Sequence, residues 1–184
     1  TETILNAYYE YDENNNNIKY VQTTSSVTKG PEGVLSEHTY VIANTEYQYD
    51  ENNLKVLSLT HNSDDKVIKT TEYIYDENNN LIRRNNFDEL GKHTDYIEYE
   101  YNEDGSYIES GYLSNGILID KTYFDKAGFI VRAEYYYKNY MAQHYEFDPE
   151  TFCAKQTNYD EDGNITYYAE YDENGDLAKE ETYD

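Results

Sequence analysis

The chain has 184 residues, with 38 acidic against 14 basic side chains and a formal net charge of −24. Such a charge excludes phosphate-backbone partners, because DNA, RNA and anionic membranes would all repel it, and no window is apolar enough for a transmembrane segment. Ile, Leu, Val and Phe together number only 34, a share that at this charge is typical of disorder, but 25 tyrosines supply large, strand-favouring rings.

In chain order, Tyr9-Glu10-Tyr11-Asp12 opens the first recognisable unit. Residues 28–36, through Thr28-Lys29-Gly30-Pro31-Glu32-Gly33, read as a longer loop in place of a tight turn. Regular repeats set in from about residue 47. Anchors at 49, 61, 75, 87, 101, 112, 124, 137, 147, 159, 171 and 183 recur about every 12 residues. Tyr171-Asp172-Glu173-Asn174-Gly175-Asp176-Leu177 matches Tyr159-Asp160-Glu161-Asp162-Gly163-Asn164-Ile165 position by position, and the copies at Tyr75 and Tyr101 repeat the pattern.

One repeat can be read physically. Asp opens a type I turn by accepting backbone N–H bonds, and Gly four residues after the aromatic takes the left-handed conformation that ends it. Gly91, Gly105, Gly116, Gly128, Gly163 and Gly175 stand at that offset, with Asn15, Asn53 and Asn79 as substitutes. Between turns lie about eight residues, the length of one strand. Ile165, Tyr167, Ala169 and Tyr171 share one parity and Thr166, Tyr168 and Glu170 the other, a period of two. The expected fold is therefore all-β: an antiparallel up-and-down meander of about 12 to 14 strands, as a curled single-layer sheet or open shell. A closed barrel or a folded-over sandwich is the alternative. No linker or composition shift interrupts residues 1–184, so a single β-repeat domain is expected.

The Tyr-Asp-x-x-Gly-x-Leu core at Tyr159 and Tyr171, with variants at Tyr11, Tyr49, Tyr75 and Tyr101, resembles that of YD-repeat proteins of the rearrangement-hotspot and teneurin class. The likeness covers roughly residues 8 to 184. It implies long β-sheets of the kind that spiral into a shell around a toxin or cargo, although this chain is too short to close one and lacks the basic, threonine-rich second half of those repeats. It is also similar to short aromatic hairpin repeats of bacterial antitoxin-like and MORN-type proteins.

The acidic turns suggest calcium through Asp172, Asn174 and Glu181, which fall on oxygen-ligand spacing, although hairpin turns want the same residues. His38, His61, His93 and His144 are scattered and read as solvated side chains, with His61 a packed ring substitute at an anchor position. Cys153 stands alone, which excludes an internal disulfide, and reads as a half-buried thiol. No nucleophile elbow, P-loop or dinucleotide fingerprint occurs, so no catalytic residue and no cofactor are expected. The run Tyr135, Tyr136, Tyr137 and Tyr140 must place rings on both faces of a sheet, which makes it a candidate partner-binding surface.

The expected function is that of a non-enzymatic, bacterial, secreted or cell-surface repeat protein binding a protein or glycan through an aromatic sheet face. Thr1 opens the sequence without a Met, which fits processing, with lipid anchoring before it. The alternatives are a cytoplasmic acidic antitoxin or immunity-type protein and, third, a carbohydrate-active enzyme. The edge strands of a meander are also open to self-association.

Overall fold

A computed structural model describes residues 2–31 and 33–183, apart from the side chains of Glu2 and Leu35. Thr1, Glu32 and Asp184 lie outside the described residues. With them go the processing site placed at Thr1, the centre of the expected loop and the Asp of the last Tyr-Asp pair.

Fourteen strands follow in chain order: β1 Glu2–Tyr11, β2 Asn17–Gly30, β3 Gly33–Tyr49, β4 Lys55–His61, β5 Val67–Tyr75, β6 Leu81–Asp88 and β7 His93–Tyr101. Next come β8 Tyr107–Leu113, β9 Leu118–Phe124, β10 Ile130–Tyr137, β11 Tyr140–Phe147, β12 Ala154–Tyr159, β13 Ile165–Tyr171 and β14 Leu177–Thr182. They form one antiparallel meander whose sheet order is the chain order, with β1 and β14 at its two ends. It is not closed into a barrel. Among the described residues no helix is long and apolar enough to cross a membrane. The chain contacts group into two compact units, 1–94 and 95–184.

The turns follow the repeat chemistry. At Asp76, for example, the N–H of Asn79 donates to the Asp76 carbonyl and the Asp76 N–H donates to the carbonyl of Asn80. Asp76 Oδ1 accepts both Asn78 N–H and Asn80 N–H, and Asn80 Nδ2 donates to Oδ2. This is a type I turn closed by a left-handed residue, as in a glycine bulge. Asn15, Asn53 and Asn79 have φ of 64°, 61° and 66°, and the six repeat glycines lie between 76° and 88°. Asn62 does the Asp job in its own turn, accepting from Asp64 and Lys66. Asp65 there takes the left-handed position at φ 61°.

Three connections depart from the expectation. Residues 28–30 and 33–36 are strand, not loop: β2 and β3 pair down to Gly30 opposite Gly33. The sequence signal was misleading because a tight Gly-Pro turn can close a long hairpin as readily as a loop. At the anchor Tyr137 there is no Asp turn. Tyr137 pairs directly with Tyr140 across Lys138 and Asn139, both at positive φ, which makes a two-residue hairpin. The turn from Asp148 to Cys153 is one residue longer than the others, with Phe152 left-handed at φ 60°.

Unit 1 packs through small polar side chains. Ser58, Thr71 and Asn86 stand opposite one another across β4, β5 and β6, all buried, and Thr71 donates to Asn86 at 2.8 Å. The anchor tyrosines tie adjacent strands: Tyr49 donates to the Asn17 carbonyl and Tyr75 to the Lys55 carbonyl, each at 2.9 Å. In unit 2 the row Ala133, Tyr145, Gln156, Ala169 crosses β10 to β13, with both alanines buried. On the opposite face Arg132, Glu146, Lys155, Glu170 and Lys179 stand in register, alternating in sign. Cross-strand opposite charges of this kind stabilise a sheet modestly.

Candidate binding surface

The four tyrosines of the run divide between the two faces of unit 2. Alternation along β10 puts Tyr136 on the face of Arg132 and Glu134. Its hydroxyl donates to Glu134 Oε2 at 2.7 Å, Tyr123 donates to the same oxygen at 3.1 Å, and Arg132 pairs with Oε1. Glu134 is only 4% exposed. Burial opposes its ionisation, but the bonds from Tyr136, Arg132 and Tyr123 outweigh that and hold its carboxyl below the usual range. Burial and the Glu134 bond push Tyr136 far upward. Both oxygens of Glu134 are engaged, so this cluster is a structural clasp.

Tyr135 and Tyr137 lie on the other face and are exposed. Tyr137 meets Tyr140 edge-on, with ring centroids 6.1 Å apart, and Lys138 Nζ sits 5.1 Å from the Tyr137 ring centre. Tyr135 meets Tyr145 edge-on at 5.9 Å, and Tyr145 stacks with Phe147 at 6.2 Å. An aromatic stripe thus runs along β10 and β11 from the Tyr137–Tyr140 hairpin to the turn at Asp148.

At that turn the stripe enters two adjoining grooves. One, of about 240 Å³, is lined by Phe129, Ile130, Phe147, Pro149 and Phe152. The other, of about 470 Å³, has Phe147, Ala154, Tyr171 and Ala178 among its apolar walls and Glu146, Asp148, Lys155, Glu170 and Asp172 among its polar ones. Phe147, Asp148 and Cys153 belong to both. Phe152 is 72% exposed at a backbone conformation that costs a bulky residue strain. Its ring lines the smaller groove. The sequence offered one signal for it: Phe stands, one residue late, where other repeats carry Gly or Asn.

Electrostatics at the grooves follow the turn chemistry. Asp148 accepts from Glu150 N–H and Thr151 N–H, and hydrogen bonding holds its carboxyl below the usual range. Asp172 Oδ1 accepts from Asn174 and Asp176. Asp176 occupies the place where Asn16, Asn80 and Asn164 donate a side-chain amide to the second Asp oxygen, so Asp172 receives no such amide.

The calcium candidates are not brought together. Asp172 and Asn174 hold their own turn, whereas Glu181 sits along β14 opposite Tyr168, paired with Lys179 and accepting from Tyr183. Strand geometry, unlike a helix-flanked loop, carries Glu181 away from the turn. Among the described residues no group of three His, Cys, Asp or Glu side chains could hold a metal. Of the histidines only His38 is exposed. His61 is packed beside Glu46 and Asp65, His93 lies 5.3 Å from the Phe87 ring, and burial lowers the pKa of His144. Cys153 is a free, partly exposed thiol, 3.8 Å from the Thr151 carbonyl.

No protein-family model matches the chain, and no curated protein matches it. Among solved structures, a porin-like protein from Bacteroides uniformis ATCC 8492 is similar at 9% identity and a TM-score of 0.39, over 98% of this chain and 88% of that one. A TcdB2–TccC3–Cdc42 complex is similar at 12% identity and a TM-score of 0.24, over 96% of this chain but only 14% of the other.

Proposed function

We propose that this is a non-enzymatic repeat protein, related in design to bacterial YD-repeat proteins, that binds a macromolecular partner through the aromatic face of residues 129–178. The observation that carries the reading is the run of ring contacts from Tyr135 through Tyr145 to Phe147, which lines both grooves, with the Tyr137–Tyr140 pair at the hairpin end of the same strands. Tyr and Phe supply contact area at low cost in side-chain entropy, which suits them to interfaces. Absence of catalytic motifs from the sequence agrees with a binding role, and the engaged carboxylate of Glu134 offers no acid or base to a substrate. An extracellular or cell-surface setting belongs to the same reading.

The test is to pan displayed random peptides, and separately a glycan array, against the chain and against its Tyr135→Ser/Phe147→Ser variant. Ligands retained by the first and lost by the second are expected. If every ligand binds both alike, the aromatic face is not the binding surface. A hydrolytic activity abolished by Glu134→Gln would overturn the non-enzymatic reading.

A further inference from the structure

We infer that the paired grooves take an extended polypeptide segment carrying an aromatic or aliphatic side chain next to an arginine or lysine. The inference rests on the binding function proposed above and names its partner. The smaller groove is apolar: Phe129, Ile130, Phe147 and Phe152 would surround an uncharged side chain. The larger has the turn carboxylates Asp148 and Asp172 in its lining with the Phe147–Ala154–Tyr171 row, whereas the side chains of Glu146, Lys155 and Glu170 belong to the charged row of the opposite face. A basic side chain can lay its stem on the Phe147 and Tyr171 rings and direct its charge to Asp148 and Asp172, the residues that follow them in the chain. The chain's net charge of −24 draws in a basic segment and repels an acidic one. Because Phe147, Asp148 and Cys153 line both grooves, one segment lying across that junction fills the two together.

Cys153 is the chain's only cysteine and reports on the junction directly. The probe is a short synthetic peptide alternating arginine with leucine and tyrosine. Its controls are the same peptide with glutamate for arginine and an arginine–serine peptide without apolar residues. Binding is measured by calorimetry, and occupancy by the rate at which a soluble aromatic disulfide modifies Cys153. The basic–apolar peptide should bind, slow that modification, and lose about tenfold in affinity between low and moderately high salt, as charge screening requires.

Asp148→Asn/Asp172→Asn should weaken it about fivefold or more while keeping both turns, because an Asn amide oxygen accepts backbone N–H bonds in the same way, as Asn62 does at the Asp position of its own turn. Asp50→Asn/Asp76→Asn removes the same charge from the corresponding Asp turns of unit 1 and should change affinity little. Three results would overturn the inference: equal binding of the glutamate peptide, equal losses in the two double variants, or binding that leaves Cys153 reactivity untouched. Ligands lost with Tyr135→Ser/Phe147→Ser yet indifferent to Asp148→Asn/Asp172→Asn would leave the aromatic binding face standing and remove only its basic partner. Panning in which no ligand depends on the aromatic face would remove both.

Discussion

At the scale of single residues, the turns separate two roles that look alike in sequence. Gly128 lies at φ +84° with no atom within 4 Å of where a Cβ would stand, so only backbone strain opposes a side chain there. Gly128→Val should cost about 1–2 kcal/mol and Gly128→Asn much less, read as thermal melts. Gly111 is the contrary case: it is not in a turn, and a Cβ would come within 2.7 Å of Asp120 Oδ2 across the β8–β9 pair. Its spacing gave no hint of this, because the reason lies on the neighbouring strand. The turn carboxylates carry a pH signature. Asp160 accepts from Asp162 N–H, Asn164 N–H and the Asn164 amide, and these bonds lower its pKa in the folded chain. A lowered folded pKa means stability that is fully present above the unfolded value, about 3.9, and is lost progressively as pH falls from there through the lower folded value. The Tm of the native chain relative to Asp160→Asn should therefore fall as pH drops from about 5 to about 3, and a pH-independent difference would contradict the assignment.

At the scale of elements, two tyrosines one residue apart in β10 should behave differently. Tyr136→Phe deletes a donor to the buried Glu134 and should destabilise by about 1–3 kcal/mol, whereas Tyr135→Phe should leave the denaturation midpoint unchanged. Period-two alternation made the division of rings between faces legible, but Glu134 as the reason for it was not, since the clasp joins Tyr123 of β9 to Arg132 and Tyr136 of β10. The Asp148–Cys153 turn gives a second contrast. Phe152→Gly relieves a left-handed Phe that is largely exposed, so it should raise stability by up to about 1 kcal/mol while weakening ligand capture. Sequence spacing located that turn through Phe147-Asp148, but the grooves beside it depend on the register that sets the ends of β11, β12 and β13 side by side.

For the whole molecule, exposure is the governing quantity. The chain keeps 12323 Å² accessible, where a compact chain of its mass would expose about 9,200 Å². It thus buries about 60% of its unfolded surface, the fraction usual for a domain of roughly 60 residues. Val27, Ala133 and Ala169 are the buried hydrophobic residues among those described, which is why a poor aliphatic content suffices. Denaturant m-values should fall about a seventh below the norm for this length, since m follows the surface newly exposed. The repeat made this architecture legible in the sequence, because each strand needs only its neighbours along the chain.

That neighbour-only pairing bears on how fast the chain folds. All-β proteins are usually slow, because their strands must find partners far along the chain. Here strands adjacent in the sheet are adjacent in the chain, so each pair is a hairpin closed by the turn between its members. The entropy of closing each loop is small and is recovered at once by the hairpin, so folding can begin at any Asp turn and spread outward like a zipper. The exception is the β2–β3 hairpin, whose strands of 14 and 17 residues must be aligned over a much longer register from Gly30 and Gly33. In stopped-flow refolding, the tyrosines of residues 95–184 should reach native fluorescence before Tyr20 and Tyr40, which sit on that long hairpin and wait for its alignment.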